Sequence, residues 1–200
     1  MLKITMIDYG VGNLHSLRKA LEISGAEVRV VTDAKELLGA ECLAFPGVGA
    51  FDRTMENLLP YRNDIVKRLE EGTPSIGICI GMQIMMESSC EGQRPGFGFF
   101  KGKAEMLKAE RIPQMGWNTV VTNDPLMDGI DDRFFYFTHS YYCNATEKDC
   151  IVGTTEYENV IYPMFFRKKN FVGTQFHPEK SSASGLRFLK NFVSSAEECL

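Results

Sequence analysis

The chain has 200 residues, 44% of them hydrophobic, and 22 basic against 26 acidic side chains leave a formal charge of −4. That length suits one domain spanning residues 1–200 with a sizeable core. The charge balance excludes the basic surface of a nucleic-acid binder, and no apolar run approaches the length that spans a bilayer.

In chain order, Lys3–Ile7 reads as a strand and Asn13–Ser24 as a helix with Leu14, Leu17 and Leu21 on one face. Glu27–Val31 and Cys42–Phe45 read as strands, and roughly Asn63–Glu71 as a helix. Ser75–Ile78 is a short buried strand, and Met82 to Glu87 the start of a helix. Alternation of this kind implies a mostly parallel sheet with helices on both faces, a three-layer, flavodoxin-like α/β architecture. After Glu91 the pattern changes to short strands, expected to be antiparallel: Phe134–Phe137, Tyr141–Asn144, Ile151–Thr155, Ile161–Arg167 and Phe171–Phe176. Ser184–Ala196 closes the chain as an amphipathic helix. Asp8 interrupts any apolar signal segment, and the six cysteines show neither a Cys-x-x-Cys pair nor metal-ligand spacing. They are therefore expected to be reduced thiols in the cytoplasm, with no metal bound.

The most informative segment is Gly77-Ile78-Cys79-Ile80-Gly81-Met82-Gln83. It has the form of a Gly-x-nucleophile-x-Gly elbow with sulfur as the nucleophile. Such a corner lifts Cys79 clear of the sheet and places helix N-terminal N–H groups beside it, which favours the thiolate. The ordinary alternative is a buried cysteine before a glycine-started helix. A second glycine pattern, Gly10-Val11-Gly12 with Asp33 ending the next strand, is similar to a dinucleotide-binding fingerprint. The third glycine would fall at His15, whose side chain obstructs the close packing that glycine permits.

A cysteine nucleophile needs a proton acceptor, and the chain has three histidines. His15 lies in the first helix, and His139 follows an aromatic strand. His177 lies in Phe176-His177-Pro178-Glu179. Pro178 holds its predecessor extended, so His177 and Glu179, two apart, project to one side. A carboxylate so placed fixes the imidazole tautomer. For the oxyanion, the N–H of Ile80 is one donor; the glycine-containing loop Pro46-Gly47-Val48-Gly49 is the candidate for a second, though an ordinary strand-to-helix turn would use the same glycines.

The cysteine elbow, the Pro-Gly-Val-Gly loop and Phe-His-Pro-Glu, in this order, resemble class I glutamine amidotransferase domains, with Cys79, His177 and Glu179 matching the family's triad. Residues 7–14, Met115-Gly116-Trp117-Asn118 and His177-Pro178-Glu179-Lys180-Ser181 narrow the resemblance to glutaminase subunits of imidazole glycerol phosphate synthase. It extends over the whole chain. The resemblance implies that Cys79 attacks the side-chain amide of L-glutamine, releasing ammonia and then glutamate. The ammonia would pass to a (β/α)₈-barrel synthase subunit bound as a heterodimer. There it would convert a formimino carboxamide ribotide into imidazole glycerol phosphate and aminoimidazole carboxamide ribotide, in histidine biosynthesis. By the same resemblance, Val48 and Ile80 form the oxyanion hole, and Gly47, Gly49, Gln83, His139, Ser140 and Tyr141 hold glutamine. Pro113, Met115, Trp117, Asn118 and Lys180 face the partner, and no cofactor is needed. The isolated chain is expected to be slow, with partner binding reorienting the Val48 peptide.

Two positions depart from the family pattern. Ile80 replaces leucine, which leaves the backbone N–H unchanged. Gln114 replaces histidine in the expected partner-facing segment, and so admits a paralogous partner that aminates a surface-sugar precursor. A nucleotide-binding flavodoxin-like module and a cysteine hydrolase of peptides or γ-glutamyl compounds are the competing readings.

Overall fold

The computed structural model describes residues 1–10, 14–47 and 49–200. Strand β1 (Lys3–Ile7) leads to helix α1 (His15–Ile23), then β2 (Glu27–Val31) and β3 (Cys42–Phe45). Helices α2 (Phe51–Leu58) and α3 (Arg62–Glu70) precede β4 (Ser75–Ile78) and the short α4 (Ile80–Gln83). The second half supplies β5 (Ser88–Ser89), β6 (Gly102–Met106), β7 (Gln114–Thr119), β8 (Val121–Thr122), β9 (Phe134–His139) and β10 (Tyr141–Ala145). Strands β11 (Ile151–Tyr157), β12 (Val160–Lys168) and β13 (Phe171–Thr174) follow, and α5 (Ser182–Glu198) ends the chain.

Eight strands form the main sheet in the order β2-β1-β3-β4-β13-β12-β11-β8. The first five run parallel, and β12, β11 and β8 each pair antiparallel with a neighbour. Two smaller sheets, β10-β6-β5 and β7-β9, lie beside it. The expected three-layer, mostly parallel architecture with added antiparallel strands is the one observed, except that β13, expected among the antiparallel strands, runs parallel to β4.

Burial on both faces follows from the alternation within the central strands. In β3, Cys42 and Ala44 enter one core, with Leu17 and Leu21 of α1 and Phe188, Leu189 and Phe192 of α5. Leu43 and Phe45 enter the other, with Phe51, Met55 and Leu58 of α2 and Ile65 and Leu69 of α3. All four residues of β3 are apolar because neither face meets water. Helix α2 was not legible in the sequence, where a short amphipathic stretch follows directly on the glycine loop.

One helix runs shorter than expected. The stretch from Met82 to Glu87 is not a continuous helix, because α4 ends at Gln83. The carbonyls of Ile84, Met85 and Met86 accept from Phe97, Phe100 and Gly98 of the following loop, at 2.7, 2.9 and 3.0 Å. Those acceptors are therefore unavailable to further helical turns.

Helix α5 presses on the turn Pro178–Lys180. A Cβ on Gly185 would stand 1.8 Å from the Pro178 carbonyl oxygen, a backbone atom that cannot swing aside. Gly185→Ala is therefore expected to cost at least about 2 kcal/mol and lower Tm by roughly 4 °C or more. Thermal denaturation followed by circular dichroism measures this, and an unchanged Tm would show that the helix has room to retreat.

Candidate active site

Cys79 stands where β4 passes into α4. Its backbone has φ 48° and ψ −108°, a conformation that costs a non-glycine residue about 1–3 kcal/mol. Hydrogen bonds fix it there. The Cys79 N–H donates to the Thr174 carbonyl at 2.7 Å, and its own carbonyl accepts from the N–H groups of Met82 and Gln83 at 3.0 Å. Both flanking glycines are demanded by space. A Cβ on Gly81 would lie 2.0 Å from the Phe45 carbonyl oxygen, and one on Gly77 would lie 2.6 Å from the Gly81 oxygen.

Beyond β13 the chain bends at Gln175 and Phe176 and reaches His177 in an extended conformation (φ −100°, ψ 94°), where Pro178 opens a 3₁₀ turn, so Glu179 meets His177 around that turn and not along the extended chain expected. The His177 N–H donates to the Tyr136 carbonyl at 2.8 Å, and Ser181 Oγ donates to the His177 carbonyl at 2.6 Å. Nδ1 of His177 meets Glu179 Oε1 at 2.7 Å, with both side chains buried. Nε2 is buried without a hydrogen-bond partner of regular geometry among the described residues. Burial opposes a charge on this ring, but interaction with the Cys79 sulfur and the Glu179 carboxylate outweighs it and raises the pKa to about 9.

The other histidines are placed differently. His139 is 6% exposed, and its Nδ1 lies 2.9 Å from the Tyr141 carbonyl and its Nε2 2.9 Å from the Tyr162 hydroxyl. Burial depresses its pKa to about 4, so it is neutral at pH 7, with both ring nitrogens engaged. His15 is exposed on α1. Among the cysteines, Cys42 and Cys143 are buried, and burial pushes both thiols up.

The remaining expected site residues divide. Gln83, 4% exposed, donates from Nε2 to the Tyr141 carbonyl at 2.9 Å and to Gln175 Oε1 at 3.2 Å. Gly47 lies directly against His177, since a Cβ there would be 2.7 Å from His177 Cε1. Gly49 is exposed with φ 124°. Ser140 is half-buried and uses its carbonyl to accept from the Leu107 N–H at 2.9 Å. Ile80 occupies the first helical position, whose N–H has no intrahelical acceptor. Val48 lies outside the described residues, as do Val11 and Gly12 of the second glycine pattern. Asp33, the acidic residue of that pattern, caps a 3₁₀ turn by accepting from the Lys35 N–H.

Strand β7 pairs with β9 so that Trp117 faces Tyr136 and Gln114 faces His139. Met115 and Trp117 are 65% and 51% exposed. The Trp117 and Tyr136 rings meet edge to face at 6.2 Å, and Lys180 Nζ stands 5.8 Å over the Tyr136 ring. Pro113 is exposed, while Asn118 is half-buried and donates to the Glu156 carbonyl at 2.8 Å. One expectation is overturned. Gln114 does not belong to the exposed face: it is 2% exposed, and its side-chain amide meets the Tyr162 hydroxyl. Strand alternation turns residue 114 inward and 115 outward, so Gln114 does not alter that outer face.

Two polar residues at the centre were missed. Tyr162 bridges His139 and Gln114, and Gln175, fully buried, donates from Nε2 to Cys79 Sγ at 3.3 Å. The one signal for Gln175 was its place two residues before His177 on the segment that carries the expected base. The helix-dipole argument for the sulfur weakens correspondingly, because α4 is a single turn with few aligned peptides.

The sequence profile described as glutamine amidotransferase class-I matches residues 5–196. The chain is 44% identical to imidazole glycerol phosphate synthase subunit HisH 1 of Methanococcus maripaludis, over 95% of this chain and 98% of that one. It is 45% identical to subunit HisH of Methanocaldococcus jannaschii over the same shares. In fold it is similar to a crystal structure of a glutamine amidotransferase (TM-score 0.73, 18% identity, 96% and 98% covered). It is likewise similar to PurLQS from Thermotoga maritima (TM-score 0.75, 17% identity, 98% of each chain). A matched profile over nearly the whole length, on relatives of this identity, means that the chain belongs to the class-I glutamine amidotransferases.

Proposed function

We propose that this chain is a single-domain glutaminase subunit of imidazole glycerol phosphate synthase, acting in the cytoplasm in histidine biosynthesis. It would release ammonia from L-glutamine and deliver it to a barrel-shaped synthase subunit. The observation that carries the chemistry is the convergence of Cys79, His177 and Glu179 at the carboxyl ends of adjacent parallel strands, with Nδ1 of His177 on Glu179 and the ring interacting with the Cys79 sulfur.

Cys79 Sγ attacks the glutamine amide carbon, and the carbonyl electrons move onto oxygen, toward the Ile80 N–H. His177 holds a proton up to about pH 9. It gives that proton from Nε2 to the departing nitrogen, which leaves as ammonia when the C–N bond breaks. The neutral ring then takes a proton from water as the hydroxyl oxygen adds to the thioester. Glutamate leaves with cleavage of the C–S bond. Glu179 holds the Nδ1 proton throughout. In Gln83 both amide N–H groups are taken, leaving Oε1 to accept from the substrate's α-ammonium group. The partner surface is the Met115–Trp117 face together with Lys180, and it joins the site through β9, which carries both Tyr136 and His139.

Three outcomes test this reading. A glutamine-directed alkylating analogue should label Cys79, and Cys79→Ser should lose the label and at least about a hundredfold in glutamine turnover. Peptide mapping that placed the adduct on Cys42 or Cys143 would overturn the assignment.

The His177 ring should titrate near pH 9 by NMR, and Cys79→Ser should lower that midpoint, since the sulfur is one of its supports. A raised histidine pKa stabilises the native state while the ring is protonated. The contribution is therefore full below about pH 6.5 and fades as the pH rises through about 9. A midpoint unmoved by Cys79→Ser would contradict the pairing.

Trp117→Ala should weaken binding of the barrel synthase subunit about thirtyfold or more, the loss of roughly 2 kcal/mol typical of a central aromatic anchor. Calorimetric titration checks it, and an unchanged Kd would move the interface elsewhere.

A further inference from the structure

We infer that Gln175 is a positioning residue for the nucleophile, holding the Cys79 sulfur through its side-chain N–H, and that Gln83 fixes the orientation of that N–H. The inference rests on Cys79 being the nucleophile, as proposed above. The orientation is set by a chain of hydrogen bonds with only one consistent direction. The Tyr141 carbonyl can only accept, so the Gln83 group that meets it at 2.9 Å is the NH₂. The second hydrogen of that NH₂ points to Gln175, 3.2 Å away, so the Gln175 end facing it is the carbonyl oxygen. The Gln175 NH₂ is thereby turned to Cys79 Sγ at 3.3 Å.

Gln175 cannot drift from this place. It is fully buried, its backbone N–H donates to the Met164 carbonyl at 2.8 Å, and the neighbouring Thr174 carbonyl holds the Cys79 N–H. A donor aimed at a thiolate stabilises the charged form over the thiol. The other titratable groups acting on or through the sulfur's surroundings are His177 with Glu179 behind it, Tyr162 on β12 and Cys143 on β10. His177 changes charge during the reaction, whereas the Gln175 amide is a neutral donor at every step. It can therefore hold the sulfur in place both as the nucleophile and as the thiolate that leaves the second tetrahedral intermediate.

The test measures alkylation of Cys79 by iodoacetamide against pH, which needs no recognition of glutamine. Gln175→Met keeps the length of the side chain and removes the donor. It should move the midpoint of the alkylation curve up by about one pH unit, an approximately tenfold loss of rate on its acidic limb. Gln175→Glu, which places an acceptor there, should move it at least as far, and Gln83→Met, which frees the Gln175 amide to rotate, should move it less but in the same direction. In the unmodified protein the Gln175 side-chain N–H resonances should shift with the same midpoint as alkylation, a readout that survives if a variant fails to fold. Curves that coincide with the parent's in folded variants, or side-chain resonances that do not move with pH, would overturn the inference. Failure of the parent reading is distinguishable, since Cys79→Ser would then still turn over glutamine.

Discussion

The pairing of β4 with β13 is the constraint on which the site depends. The two strands run parallel in the register Ser75 with Phe171, Ile76 with Val172, Gly77 with Gly173 and Ile78 with Thr174. The next residue of one strand is Cys79, and the continuation of the other carries Gln175, His177 and Glu179. Parallel strands end at the same edge of the sheet, so the proposed nucleophile and base emerge side by side although nearly a hundred residues separate them. A slip of one residue would turn the apolar side chains of β4 to the wrong core and carry Cys79 to the opposite face. The register is therefore held by the two hydrophobic cores, and the chemistry inherits its accuracy from them.

That inheritance explains how a strained residue can persist at the centre. The backbone of Cys79 lies outside the common regions, at a cost of about 1–3 kcal/mol. It is over-determined by its neighbours. β3 and β13 flank β4, the Thr174 carbonyl holds its N–H, and the Phe45 carbonyl stands where any side chain on residue 81 would project. The His177 side is built with equal redundancy. Ser181 ties the turn to β9 by donating to the His177 carbonyl and accepting from the Tyr136 N–H, while α5 closes on Pro178 at Gly185. Two rigid supports thus face each other across the sulfur, and among the described residues the buried Nε2 of His177 has no hydrogen bond of regular geometry and only the Cys79 sulfur to interact with. An unpaired buried nitrogen costs stability in a resting protein. In the proposed mechanism it is the atom from which a proton moves.

The sequence was legible where local chemistry has one structural solution. Strand β3, apolar at every position, can lie only between two cores. The glycines around Cys79 restrict the backbone so tightly that the elbow could be placed from spacing alone; His177 and Glu179 do meet, but around the 3₁₀ turn that Pro178 opens and not along an extended chain. What was not legible depended on contacts between distant segments. The end of α4 is set by a loop more than ten residues later that captures its would-be carbonyl acceptors. Gln114 read as a surface departure because its strand could be assigned no inward face until β9 was seen beside it. Gln175 shares the spacing of His177 and Glu179, yet its role depends on Gln83, and that pair is joined only across the elbow.

The polar interior accounts for the division of labour among these residues. His177 and Gln175 reach the sulfur from one continuous segment beyond β13, but they answer different demands. The histidine must gain and lose a proton, so it is coupled to Glu179 and to the sulfur and carries a raised pKa. The glutamine must not titrate, so it is an amide, fixed at its far end by a second amide whose own direction is fixed by a backbone carbonyl. A chain of neutral donors is the arrangement that can stay in place while charge passes through the site. The same carbonyl, that of Tyr141, also meets His139, which burial keeps neutral. The second histidine near the nucleophile thus belongs to the scaffold that orients the amides, and its depressed pKa keeps a second positive charge away from His177.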